Sequence, residues 1–334
     1  MLTWLLWFPL KLVLWSFAAF GAVTLLLTVM IATPLVQPPE LRSVSETARE
    51  VDRSTMPSLS RFSARDGTEL AYRHYPARGA AIAKIAILVH GSSGSSAAVH
   101  ALADALAAHG IETYAPDIRG HGGSGTRGDI GRIGQLENDM ADLVALVRKT
   151  SPDAPITLLG HSAGGGFALR IASSDMKDQF ARTIMLAPYL GYDAPTNRPQ
   201  SGGWASADLP RFFGLVALRK LGIECCEGLP TLAFAVPKDS AKILAATYSY
   251  RLMRNFATRG YQADLAAVTK PMTLIAGADD ELMLSDKYAD AVHAVAPSVD
   301  VKLIAGVNHM GVVSVPKAVN EIADYVATHD GAGT

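Results

Sequence analysis

Gly160-His161-Ser162-Ala163-Gly164 sets a hydroxyl between two glycines, after the apolar run Ile156 to Leu159 and before a helix-compatible stretch. G-x-S-x-G in that setting makes a sharp strand-to-helix turn that lifts the serine above a sheet as a nucleophile. A side chain at either glycine would collide with the neighbouring strand and helix. The helix start also favours negative charge developing near Ser162. A hydroxyl attacks poorly until a base takes its proton. His309, in Gly306-Val307-Asn308-His309-Met310-Gly311, lies after the last expected strand and can serve as that base. The base needs an acid to fix its tautomer and steady the imidazolium. Ile275-Ala276-Gly277-Ala278-Asp279-Asp280 offers two, Asp279 and Asp280, at the end of a preceding strand. The chain order is then Ser, Asp, His.

Acyl transfer also needs two backbone N–H groups aimed at the oxyanion. One is expected from Ala163, the residue after the nucleophile. The other is expected from Ser92, in the glycine-rich loop His90-Gly91-Ser92-Ser93-Gly94 after a strand ending at Val89. Gly120 to Gly125 spells G-x-G-x-x-G, which in another context marks a dinucleotide site. Here Thr126 to Gly131 adds more loop where a helix should open, so we read Asp117 to Ser124 as a buried structural loop near the active-site mouth.

These residues require elements to hold them. A hairpin is expected over 58–64 and 68–75 with its turn at Asp66-Gly67. Strands follow at 82–89, 111–116, 156–159, 183–187, 272–276 and 300–304. Helices are expected at about 96–109, 132–149, 163–174, 286–295 and 316–328, the second from Ile133, Leu136, Met140, Leu143 and Val147 at helical spacing. Strand–helix alternation gives an α/β fold, with a mostly parallel sheet covered on both faces. Residues 191–268 break the rhythm and are too long for a plain loop. They carry Trp204, Phe212, Phe213, Phe234, Tyr248, Tyr250, Phe256 and Tyr261, and read as a largely helical cap over the site. The core is then 58–190 and 269–334.

Residues 1–33 read as an N-terminal membrane anchor. Leu12 to Ile31 is about twenty residues without a charge, enough to span a bilayer as a helix. Trp4, Trp7 and Trp15 cluster towards one end, and Lys11 is placed to snorkel. A cleavable signal sequence and a core helix are the rival readings. The apolar run exceeds a usual signal core, and no clear cleavage site precedes Pro34. Lys11 before the span and Arg42 and Arg49 after it leave the side of the membrane undetermined. Residues 34–57, with Pro34, Pro38 and Pro39, read as a linker.

Bulk properties narrow the classes. A net charge of −1 gives no pull towards nucleic acid. The two cysteines, Cys225 and Cys226, are neighbours and form no disulfide framework. No Cys/His spacing suggests a metal site, and no cofactor is expected.

Together the His90-Gly91 loop, Asp117-x-Arg119-Gly120-His121-Gly122-x-Ser124, the Gly160 to Gly164 turn, Gly277-x-x-Asp280 and His309 resemble the α/β-hydrolase superfamily. Within it they are similar to the serine aminopeptidase-type, lysophospholipase and monoacylglycerol lipase-like branch. The likeness covers about 60–330 and is loose over the cap. It implies the α/β-hydrolase fold, a serine mechanism and Asp280 as the acid. It does not fix the substrate, since esterases, lipases, peptidases and dehalogenases share these motifs. The favoured expectation is a serine hydrolase cleaving carboxylic esters, of lysophospholipid or monoacylglycerol type, because the cap is apolar and the anchor keeps it near lipid. A peptidase releasing N-terminal residues is the second reading, with Asp208, Glu224 and Glu227 available for a substrate ammonium. An inactive binding module is the third.

Overall fold

The apolar N-terminus forms a single helix, α1 (Leu2–Ile31), in a computed structural model that describes residues 2–79 and 83–329. Its polar side chains close on their own helix: the hydroxyls of Ser16, Thr24 and Thr28 donate to the carbonyls of Leu12, Phe20 and Thr24. Lys11–Ile31, 21 residues, reach about 31 Å as a helix, a bilayer's hydrocarbon width. Trp15, Phe17 and Phe20 are exposed along it. A soluble core helix would bury such groups, so the core-helix reading fails.

Residues 34–57 differ from a free linker. They contain helix α2 (Arg42–Arg49), which buries Val44 and Ser45. The Leu41 amide donates to the Ala235 carbonyl, and Asn308 Nδ2 donates to Thr47 Oγ1. Neither contact joins residues close in sequence, so periodicity gave no sign of them.

The hairpin forms as expected, β1 (Ser60–Ser63) antiparallel to β2 (Glu69–Tyr75). Then come β3 (Ile85–Val89), α3 (His100–Ala108), β4 (Glu112–Pro116), α4 (Gln135–Thr150), β5 (Ile156–His161), α5 (Ala163–Ala172) and β6 (Arg182–Leu186). Helix α4 starts three residues later than its periodicity suggests. Gly134 has φ 89°, a left-handed conformation that ends the preceding turn and leaves Ile133 outside.

The segment 191–268 holds β7 (Ala205–Ala207), α6 (Leu209–Lys220), β8 (Pro230–Phe234), β9 (Thr247–Ser249), α7 (Tyr250–Asn255) and α8 (Tyr261–Ala266). Its three strands pair as a small antiparallel sheet, β7-β8-β9, which the expectation of a largely helical insertion did not include. The core resumes with β10 (Met272–Gly277), α9 (Tyr288–His293), β11 (Asp300–Ile304) and α10 (Pro316–Thr328).

The main sheet has eight strands in the order β1-β2-β4-β3-β5-β6-β10-β11. From β4 to β11 every pairing is parallel. Side chains alternate across a strand, so β3 feeds two cores. Ala86 and Leu88 pack with Leu102 and Leu106 of α3 and Ile322 of α10. Ile85, Ile87 and Val89 pack with Leu136 and Leu143 of α4 and Phe167 of α5. This is the α/β-hydrolase fold, and the carboxyl ends of its parallel strands converge on one edge where a site can form.

Candidate active site

Ser162 stands between β5 and α5 at φ 55°, ψ −120°, a conformation that L-residues seldom adopt. The turn is tight enough to require its glycines. A Cβ on Gly160 would sit 2.0 Å from the Gly164 carbonyl oxygen, and one on Gly164 would sit 2.4 Å from that of His90. The second contact also brings the His90–Gly94 loop against Ser162: a Cβ on Gly91 would lie 3.1 Å from Ser162 Cβ.

His309 and Asp280 meet after β11 and β10. Asp280 Oδ2 accepts from His309 Nδ1 at 2.8 Å, and both side chains are buried. Asp280 Oδ1 accepts the amides of Leu282 and Met283, each at 2.8 Å. Burial alone would raise this carboxyl; the imidazole and the two amides outweigh it and hold the group below its ordinary value. Asp279 is exposed and uses its amide on the Val307 carbonyl. The structure therefore puts Asp280, and not Asp279, on the histidine. His161 donates from Nε2 to the His309 carbonyl at 3.1 Å.

Ser92, Ser162 and Ala163 line one cavity of about 490 Å³. The Ala163 amide opens α5 and so has no intrahelical acceptor. The Ser92 amide has no acceptor among the described residues. Two free N–H groups beside a serine suit a developing oxyanion. Most of the remaining wall is apolar and comes from 191–268, including Trp204, Phe212, Leu232 and Phe256.

The Ser92 loop is held by groups that sequence reasoning did not assign. The Ser93 amide donates to Tyr248 Oη at 2.7 Å, and Tyr248 donates on to His121 Nε2. His121 Nδ1 donates to the Ile118 carbonyl. The Ile118 amide donates to His90 Nε2, whose Nδ1 donates to the Gly91 carbonyl. From the other side, Trp204 Nε1 donates to Ser92 Oγ at 2.9 Å. The stretch Asp117 to Ser124 is thus a bracket for the loop: Asp117 accepts the amides of Ser96 and Gly123. Gly122, with φ 49°, stands where a Cβ would be 2.2 Å from Asp117 Oδ2. No helix follows Gly125 before α4, so the glycine pattern does not build a dinucleotide site. The aromatic content of 191–268 was visible, but not which tyrosine would reach back to Ser93.

Tyr248→Phe is expected to leave the Ser93 amide without its acceptor. Stability should fall by about 1–3 kcal/mol, the usual penalty for stranding a buried donor. Ester turnover should fall as well, since the neighbouring Ser92 amide loses its support. Urea midpoints and kcat for one ester would show both; an unchanged midpoint would rule the relay out.

Burial holds His90, His121 and His161 below the ordinary histidine value of 6.5, His161 down to about 3. As pH falls, the unfolded chain takes up these protons first. The stability they contribute is full above about 6.5 and is lost progressively in more acid solution. Each group steepens the loss by up to about 1.4 kcal/mol per pH unit within its own window. The urea midpoint should be clearly lower at about pH 5 than at about pH 7.5, and equal midpoints would contradict the assignment.

The family model described as serine aminopeptidase, S33, matches residues 80–313. The chain belongs to that hydrolase family. Among curated relatives, the monoglyceride lipase of Rattus norvegicus is 29% identical over 153 residues, 46% of this chain and 49% of that protein. The monoacylglycerol lipase of Mycolicibacterium smegmatis is 35% identical over 83 residues, 25% of this chain and 30% of that protein. The chain thus matches less than half the length of these relatives. Among solved structures, a soluble variant of monoglyceride lipase from Saccharomyces cerevisiae, bound to a substrate analogue, aligns with TM-score 0.59 at 18% identity. That alignment covers 82% of this chain and 95% of the other. Monoacylglycerol lipase of Paleococcus ferrophilus aligns with TM-score 0.57 at 18% identity, covering 78% and 99%. At such identities the structural likeness speaks for the fold, which this family shares.

The acids weighed for a peptidase lie elsewhere. Asp208 is bound to Thr33 and Arg211, and Glu224 and Glu227 are paired with Arg219. None of the three lines the cavity.

Proposed function

We propose that this protein is a membrane-anchored serine hydrolase that cleaves carboxylic esters of lipids. The carrying observation is that Ser92, Ser162 and Ala163 line one large, mostly apolar cavity, and that the amides of Ser92 and Ala163 have no acceptor among the described residues. In this reading His309 takes the Ser162 proton as Oγ attacks the acyl carbon. The two amides hold the oxyanion, and Asp280 steadies the imidazolium. The bond to the leaving oxygen breaks as His309 returns the proton to it. Water, activated by the same imidazole, then attacks the acyl-enzyme and frees the acid. These steps use protein groups and water.

The cavity wall is mostly apolar, which suits an acyl chain, with Arg170, Asp193, Arg254 and Arg259 also among its lining residues, and the named relatives are monoacylglycerol lipases. A monoacylglycerol or lysophospholipid is therefore the proposed substrate, with 191–268 as the cap that shapes its site. Helix α1 serves as the anchor. The test is hydrolysis of p-nitrophenyl esters of increasing acyl length by the full chain in detergent. Turnover should rise from acetyl towards medium and long chains. Confinement to acetyl and butyryl esters would sink the lipid assignment while keeping the serine mechanism.

A further inference from the structure

The end of α1 is fastened to the insertion that covers the site. Thr33 Oγ1 lies within hydrogen-bond distance of both oxygens of Asp208, at 2.7 and 2.9 Å, and of the Met30 carbonyl at 2.8 Å, its one hydrogen shared among them. Arg211 Nε donates to the Ile31 carbonyl at 2.8 Å, and its guanidinium also reaches the carbonyls of Thr33 and Pro230. Asp208 and Arg211 are both buried. Asp208 is also the N-cap of α6, accepting the Arg211 amide at 3.0 Å. One turn on, Gly214 lets the two helices touch: a Cβ there would lie 3.2 Å from Ile31 Cγ1 and 3.3 Å from Met30 Cβ.

This staple has a direction. The helix it grips is the one whose Leu209, Phe212 and Phe213 line the cavity. Leu209 and Phe213 are also more than half exposed, as is Tyr192 on the same rim. An apolar rim of this kind calls for a cover. The apolar span of α1 ends at Ile31, against the residue that follows Phe213, so the bilayer surface passes close to the rim.

We propose that the Thr33–Asp208–Arg211 staple seats the α6 rim on the bilayer, so that the cavity receives its lipid ester directly from the leaflet. This rests on α1 as an anchor and on the site as an esterase. The staple holds the entrance; it takes no part in bond making. It also implies that α1 is kept in the mature protein, since removal of Ile31 to Thr33 would leave the buried Asp208 and Arg211 without those partners.

The experiment uses the full chain in phosphatidylcholine vesicles. Two substrates are compared in the same sample: 1-oleoylglycerol dissolved in the bilayer, and water-soluble p-nitrophenyl butyrate. Thr33→Val with Arg211→Met removes the staple. Gly214→Leu wedges the helices apart by a different route and strands no charge. Both variants should lose at least tenfold on 1-oleoylglycerol and stay within about twofold on the butyrate. A disulfide between Met30→Cys and Gly214→Cys, in a background with Cys225→Ser and Cys226→Ser, should restore the lost activity to the first variant and release it again on reduction. Equal loss on both substrates, or no loss on either, overturns the proposal. The readings beneath it fail differently: a wild-type chain that does not float with the vesicles overturns the anchor, and one that floats but hydrolyses neither ester overturns the esterase.

Discussion

Ser162→Ala is expected to lower kcat for ester hydrolysis by at least about a thousandfold with the fold intact. In the proposed mechanism this hydroxyl bonds to the acyl carbon, and it belongs to a residue that lines the same cavity as Ser92 and Ala163. The substitution keeps a Cβ in the same turn, so the urea midpoint should barely move. The residual rate should reflect the amides and the cavity alone. Labelling by a fluorophosphonate should vanish in the same variant. Folded wild-type protein that neither turns over esters nor takes the label would instead make this a binding module on a hydrolase fold.

Asp280→Asn should cost nearly as much, about a thousandfold to ten-thousandfold in kcat. The amide is close in shape, but its NH2 can face Nδ1 and reverse the imidazole's tautomer. His309 Nε2 would then carry a hydrogen in place of the lone pair that a general base needs. Asp279→Asn should stay within about threefold, because that side chain is exposed and the amide it uses is unaffected. If the two variants changed places, the hydrogen bond between Asp280 and His309 would not be the one that orients the base. A similar loss in both would point to general disturbance of the loop after β10.

The serine turn was legible because each of its requirements is local. Glycine at 160 and 164, an apolar strand before and a helix after can all be read within fifteen residues. The pair Asp280 and His309 was legible for a different reason, since parallel strands bring their following loops to one edge whatever the distance in sequence. Spacing alone left Asp279 open, and the resemblance to known hydrolases selected Asp280. What could not be read was contact between distant segments. Tyr248 is 155 positions from Ser93, and Thr33 is 175 from Asp208. Neither contact leaves a period in the chain. The small sheet β7-β8-β9 escaped for a related reason. Its strands are three to five residues long, too short for alternation to stand out among the aromatic residues around them.

The backbone at Ser162 has a last implication, for endurance rather than rate. At φ 55°, ψ −120° a side chain is strained by about 1–3 kcal/mol, whereas glycine is at ease there. Ser162→Gly should therefore resist urea better than the wild type, by about 1 kcal/mol after the loss of a small buried side chain. On the proposed mechanism, that more durable variant would be an inert one. Selection for persistence alone would drift towards glycine at position 162, so a serine kept at this backbone conformation is what a chemical role for the hydroxyl would require.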